Sequence, residues 1–255
     1  MFYHHGVNLM GDQQITVSHL GVSYRSLEAL RDITLKVEAG KLTGIIGPNG
    51  AGKSTLIKAM LGLIPLTQGS VLYQGQPLNQ KLNEVAYVPQ RSQIDWTYPV
   101  TVWDVVMMGR VRHTGWFRNF STASRRQALE ALERVNMEAY RQRPIGELSG
   151  GQQQRVFLAR SLAQNGSIFL FDEPFVGVDQ KTENILFSIF RELAASGKIV
   201  LVVNHDLGES ITNFDDLILL NRELIAHGKR QLVMRDNNLH QAYGGKVMFF
   251  NAQAA

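Results

Sequence analysis

Apolar and polar positions alternate along the first forty residues. Ile15, Val17 and Leu20, then Val22 and Tyr24, then Ile33, Leu35 and Val37 follow the two-residue period of short strands that end at Ala39-Gly40. The apolar run from Leu42 to Ile46 has strand length and opens directly into glycines that begin at Gly47. The period then lengthens: Leu56, Ile57, Met60 and Leu63 recur at helical spacing over residues 53–63, and Pro65 follows the helix end. Residues 85–88 form another short strand, closed by Pro89.

From about residue 91 to 165 strand signals thin out. Residues 124–135 read as a helix with a Ser124…Gln127 capping box and with Ala128, Leu132 and Val135 on one face, and residues 149–164 read as another. Strands return at 168–171, 199–203 and 217–220, with a helix near 181–195 between the first two. Strands alternating with helices predict an α/β core built on a mainly parallel sheet, with the helical stretch inserted into it. The chain shows no internal repeat and no low-complexity tract.

Composition narrows this picture. A hydrophobic fraction of 44% with 19% charged residues is that of a globular chain able to bury a substantial core. No run approaches the roughly 18 uninterrupted apolar residues of a membrane span. Residues 1–14 lack the basic start and long apolar core of a secretory signal, so a soluble chain is expected. With no cysteine, neither disulfides nor thiolate metal sites are available. The net charge of +4 is modest and contains no basic run, so nucleic acid is not an expected partner.

The glycine-rich stretch carries the first chemistry. Gly47-Pro48-Asn49-Gly50-Ala51-Gly52-Lys53-Ser54, with Thr55 next, matches the phosphate-binding loop and stands between a strand and a helix, as that mechanism requires. Its glycines let consecutive backbone N–H groups turn toward a phosphate chain, at which the following helix also aims its positive end. Lys53 supplies a point charge to the β- and γ-phosphates of ATP, and Ser54 a hydroxyl to Mg2+. This motif alone leaves kinases, GTPases and transport ATPases open.

A second group follows the apolar run 168–171, which ends in Asp172 and Glu173. A buried strand delivers such carboxylates to the sheet end where ligands of open α/β folds bind. Asp172 is placed to hold Mg2+ through water, and Glu173 is the candidate base for the attacking water.

The third group is Leu148-Ser149-Gly150-Gly151-Gln152. Ser149 and Gln152 have capping-box spacing, so a helix should start there with open N–H groups and little side-chain bulk ahead of them. That makes a second anion site at a helix start, suited to a partner's nucleotide.

With these three motifs in order, the sequence resembles the nucleotide-binding domain of ABC transporters over roughly residues 14–235. The resemblance implies a P-loop core, an N-terminal antiparallel β subdomain, an inserted helical subdomain over about 91–165 and a C-terminal tail over 236–255. It also implies roles for single residues. Tyr24 is similar to the aromatic that stacks on adenine, where the plainer reading is a strand core residue. Gln90 resembles the glutamine that touches Mg2+, Asp179 the aspartate that communicates across the dimer, and His205 the switch histidine at the γ-phosphate. Without the family they read as a loop amide, a helix N-cap and a structural histidine. The family works as a head-to-tail dimer in which Ser149, Gly150, Gly151 and Gln152 of one copy close over the ATP of the other. Hydrolysis then drives an integral membrane permease at the cytoplasmic face of the cell membrane.

A finer likeness, over residues 95–110, 172–179, 202–207 and 219–228, is to the ATPases of manganese, zinc and iron-chelate importers, which work with an extracytoplasmic substrate-binding protein. Asn204 and Val176 depart from that pattern. Tyr98 to Arg110 supply aromatics and valines for a groove that takes a partner's short helix, unless Trp103, Val106 and Met107 are packing residues. An exporter ATPase, or a soluble ABC ATPase acting on ribosomes or nucleic acid, is the alternative; the latter usually carries two fused ATPase domains or coiled coils.

Overall fold

The computed structural model describes residues 13–25, 27–114 and 119–244. Strands β1 (Gln14–Tyr24) and β2 (Leu27–Glu38) form a long antiparallel ladder, interrupted by bulges where its register shifts. β3 (Leu42–Ile46) leads into the glycine loop and α1 (Lys53–Met60). β4 (Gln68–Tyr73) and β5 (Gln76–Pro77) complete a four-stranded sheet in the order β2-β1-β4-β5. Then come β6 (Val85–Val88), α2 (Val102–Met108), α3 (Val111–Thr114), α4 (Thr122–Arg134) and α5 (Gly150–Gln164). The chain re-enters the core with β7 (Ile168–Asp172), α6 (Gln180–Ala195), β8 (Ile199–Val203), β9 (Asp216–Asn221) and β10 (Glu223–Lys229). It continues through α7 (Arg230–Val233) and α8 (Asp236–Tyr243).

The second sheet has the order β10-β9-β3-β8-β7-β6, parallel from β9 to β6 with β10 antiparallel at one edge. Every residue of β3, β7 and β8 is buried, as expected of parallel strands covered on both faces. The pleat sorts them between two cores. Phe169 and Phe171 join Val200, Val202 and Leu217 against the helices α2, α4, α5 and α6. Ile168, Leu170, Leu201 and Val203 face α1 and the antiparallel sheet. The sheet thus lies between two packed layers and carries the glycine loop at the end of β3.

Several elements depart from the expected pattern. α4 begins three residues earlier than the Ser124…Gln127 box implied: Ser121 is the N-cap, its hydroxyl accepting from the Ser124 N–H, and Ser124 itself is buried. α1 ends at Met60, so Leu63 lies beyond the helix and is exposed. Val106 and Met107 are buried packing residues, whereas Tyr98 and Met108 stand out to solvent. Residues 236–243 of the tail are helical and Gly244 caps that helix, while residues 245–255 lie outside the described residues, as do residues 1–12. No helix among the described residues is long and apolar enough to cross a membrane.

Candidate functional site

The glycine loop is fixed by contacts that leave no room for a side chain at Gly47 or Gly52. At Gly47 (φ +148°) a Cβ would sit 2.1 Å from the Leu220 carbonyl oxygen, and at Gly52 (φ +92°) one would sit 2.5 Å from Leu30 Cδ2. The end of β9 props the loop further, the Arg222 N–H donating to the Ala51 carbonyl at 2.9 Å. Gly52 caps α1 without any side-chain hydrogen bond, so the first N–H groups of that helix are left for another acceptor. Lys53 is buried and folds back over the loop, its Nζ donating to the Gly47 carbonyl at 2.8 Å and to that of Pro48 at 3.1 Å. Burial lowers the Lys53 pKa, so an incoming anion would relieve a desolvated cation. Gly47, Pro48, Asn49, Gly50, Ala51, Gly52, Lys53, Ser54 and Thr55 thus lie together at the carboxyl end of β3 and the start of α1, the arrangement an anion cradle requires.

Beside it, Ser54 Oγ donates to Asp172 Oδ1 at 2.8 Å. Asp172 is 1% exposed, and its other oxygen, Oδ2, is buried with no hydrogen-bond partner. Burial raises its pKa, against the opposing effect of the Ser54 hydroxyl. A hydroxyl, a carboxylate with an orphaned oxygen and a nearby phosphate cradle are the hard-oxygen donor set that suits Mg2+.

Glu173, next on the chain, has φ +51°, a left-handed conformation that costs a non-glycine residue and clusters at functional positions. That turn aims its carboxylate at Gln90, whose Nε2 donates to Glu173 Oε2 at 2.6 Å. The fold thus brings Lys53, Ser54, Asp172, Glu173 and Gln90 together at the ends of β3, β7 and β6.

Among the described residues, the remaining candidates make no direct hydrogen bond to this cluster. His205 follows β8 and is exposed. Tyr24, at the end of β1, is 46% exposed, which removes the strand-core reading and leaves its ring free to meet a flat partner. Asp179 caps α6, its Oδ1 accepting from the Thr182 N–H at 2.7 Å; hydrogen bonding from the Thr182 hydroxyl, and then from its N–H, lowers the Asp179 pKa. Ser149 and Gln152 make the expected reciprocal capping box at the start of α5. Gly150 and Gly151 approach Gly177 and Thr182 closely, so the helix start is packed against the Asp179 loop.

Three positions were not singled out for the site by the sequence. Asn204 is 1% exposed and staples the His205 loop: its Nδ2 donates to the Asp206 carbonyl and to Ser210 Oγ, both at 3.0 Å, while its Oδ1 accepts from the Asp206 N–H at 3.2 Å. Arg91, adjoining Gln90, donates from Nη2 to Gln153 Oε1 at 2.8 Å, and Gln153 donates in turn to the Ile145 carbonyl at 3.1 Å. This ties the segment after Gln90 to α5. Tyr243 on α8 buries its hydroxyl beside the Gly47 amide without completing a hydrogen bond, and burial raises its pKa to about 12. The only local signal for these was Asn204 as an odd residue before a histidine.

Residues 30–176 match the family model described as ABC transporter. Among curated relatives, the chain is 51% identical to a probable ABC transporter ATP-binding protein of Cyanophora paradoxa, over 92% of this chain and 96% of that one. It is 44% identical to the manganese transport system ATP-binding protein MntB of Listeria innocua, covering 93% and 99% of the two chains. It is 45% identical to the zinc transport system ATP-binding protein TroB of Treponema pallidum, covering 91% and 88%. Among solved structures, the dimeric bacterial ABC transporter cassette MJ0796 is 27% identical with a TM-score of 0.74, over 85% of this chain and 98% of that one.

Proposed function

The chain belongs to the ABC transporter family as an ATP-binding, ATP-hydrolysing subunit, and from that premise we propose that it energises uptake of a divalent transition metal, manganese or zinc, through a separate membrane permease. The cargo is supported by the manganese and zinc systems to which its relatives belong. The chemistry is supported above all by one observation, the bonded pairs Ser54–Asp172 and Gln90–Glu173 beside the Lys53 cradle.

On this reading Lys53 leaves the Gly47 and Pro48 carbonyls for the β- and γ-phosphates, while the loop N–H groups of residues 50–55 cradle them. Ser54, Asp172 and the side-chain amide oxygen of Gln90 would hold Mg2+, which would neutralise charge developing on the phosphate oxygens. Glu173 takes the proton of the attacking water as the γ-phosphoryl group leaves ADP. His205 faces the γ-phosphate, and Tyr24 stacks on adenine. One chain supplies only half of each closed site: Ser149, Gly150, Gly151 and Gln152 of a second copy complete it, with Asp179 communicating between the two. A homodimer docked on the cytoplasmic face of the permease, fed by an extracytoplasmic substrate-binding protein, is the assembly this implies. The docking surface we assign to the permease is a groove of about 260 Å³ lined by Leu61, Leu63 and Met108.

The test is metal accumulation in a strain lacking this chain. Uptake of Mn2+ or Zn2+ should fall and be restored by the parent sequence but not by Glu173→Gln. Normal accumulation of both ions would refute the cargo.

A further inference from the structure

The turn between β9 and β10 grips the glycine loop at two points. The Leu220 carbonyl occupies the space where Gly47 would carry a side chain, and the Arg222 N–H donates to the Ala51 carbonyl at 2.9 Å. Arg222 holds a left-handed conformation, φ +62°, that costs a non-glycine residue, and its carbonyl accepts from the Arg31 N–H at 2.8 Å. Between them Asn221 reaches the other way, its Nδ2 donating to the Ala242 carbonyl in α8 at 3.0 Å. Three consecutive residues therefore join the loop to α8. The next residue of that helix, Tyr243, brings its hydroxyl to the Gly47 amide. Its ring packs against the core, and its oxygen is buried without a completed hydrogen bond.

A hydroxyl buried without a partner is costly, and a phenyl ring would fill the same space without that cost. The hydroxyl is explained if its bond is made in another state of the loop. Lys53 supplies that state. It now holds the Gly47 and Pro48 carbonyls, and on the nucleotide reading above it leaves them for the phosphates, which frees the first corner of the loop. We infer that Tyr243 is a positioning residue for nucleotide binding: its hydroxyl accepts from the Gly47 N–H once Lys53 turns to the phosphates, and the Asn221–Ala242 tether holds it in register. Burial pushes the Tyr243 pKa up to about 12, so the contact stays neutral at physiological pH. The inference rests on the loop's binding of nucleotide and gives α8 a part in it.

The test titrates the full chain with Mg-ADP, which occupies the loop without turnover, beside thermal unfolding without nucleotide. Tyr243→Phe keeps the ring and should bind Mg-ADP about threefold to tenfold more weakly, the worth of one hydrogen bond. It should unfold at the parental temperature or above, because the hydroxyl makes no bond in the empty loop. Asn221→Ala should weaken binding in the same direction, whereas Gln241→Ala, exposed on α8, should bind as the parent does. A Tyr243→Phe affinity within about twofold of the parent would reduce Tyr243 to packing and overturn the proposal, leaving the nucleotide reading intact. An equal loss in Gln241→Ala would overturn the assignment to Tyr243. If Tyr243→Phe fails to fold, Asn221→Ala decides, and its parental affinity would overturn the tether and the positioning role with it. Failure of the parent chain itself to bind Mg-ADP would overturn both readings.

Discussion

Asn204 shows how a residue that breaks a sequence pattern can serve the site. Read along the chain it is an oddity before His205; in the fold its amide satisfies the Asp206 N–H and carbonyl and reaches Ser210, so it holds the loop that carries the histidine. That could not be read from spacing, because it depends on how the loop closes on itself after β8. Asn204→Ala should leave those groups unpaired, cost about 1–3 kcal/mol, and lower kcat with little change in the KM for ATP. Steady-state kinetics beside thermal unfolding would check this, and an equal rise in KM would argue for a different role. Asp172 makes the opposite trade. Its raised pKa means the folded state binds its proton more tightly than the unfolded chain does, so its ionisation weakens the nucleotide-free fold as pH rises through the normal carboxylate range and up to the raised value. Asp172→Asn is therefore expected to unfold at an equal or higher temperature without nucleotide, and to lose the extra stabilisation that Mg2+ adds to ATP. A lower melting temperature in the nucleotide-free variant would contradict that.

At the scale of elements, legibility followed the strength of the local signal. β3 and β8 were readable because fully buried parallel strands are continuous apolar runs, and the start of α5 because Ser149 and Gln152 form a real capping box. The α4 start was displaced because two serines, Ser121 and Ser124, stand at cap-compatible positions, and only packing shows that Ser124 is inside. β4 and α8 were missed: β4 begins Gln-Gly-Ser with exposed residues, and α8 opens Asp-Asn-Asn without an apolar face of any length. The link between elements was equally invisible. Arg91 and Gln153, 62 positions apart, connect the residue after Gln90 to the helix that begins at Ser149. A double-mutant cycle of Arg91→Ala and Gln153→Ala on ATP-induced association should give a coupling energy of about 0.5–3 kcal/mol, and strict additivity would show that the contact transmits nothing.

For the whole molecule, the fold places the glycine loop with its open helix start and a separate capped helix start in the same chain, and the proposed function pairs them across two copies. No stretch of sequence states that geometry; it follows from a helical insert that carries α5 away from the β3 loop and back against the Asp179 loop. The decisive measurement is the molar mass in solution of the Glu173→Gln chain with and without saturating Mg-ATP. The account predicts that ATP is bound, hydrolysis is nearly lost, and the mass doubles from the 28.6 kDa of one chain, with Ser149→Arg preventing the doubling. A Glu173→Gln chain that stays at one-chain mass with ATP bound, or that hydrolyses ATP at the parental rate, would contradict it.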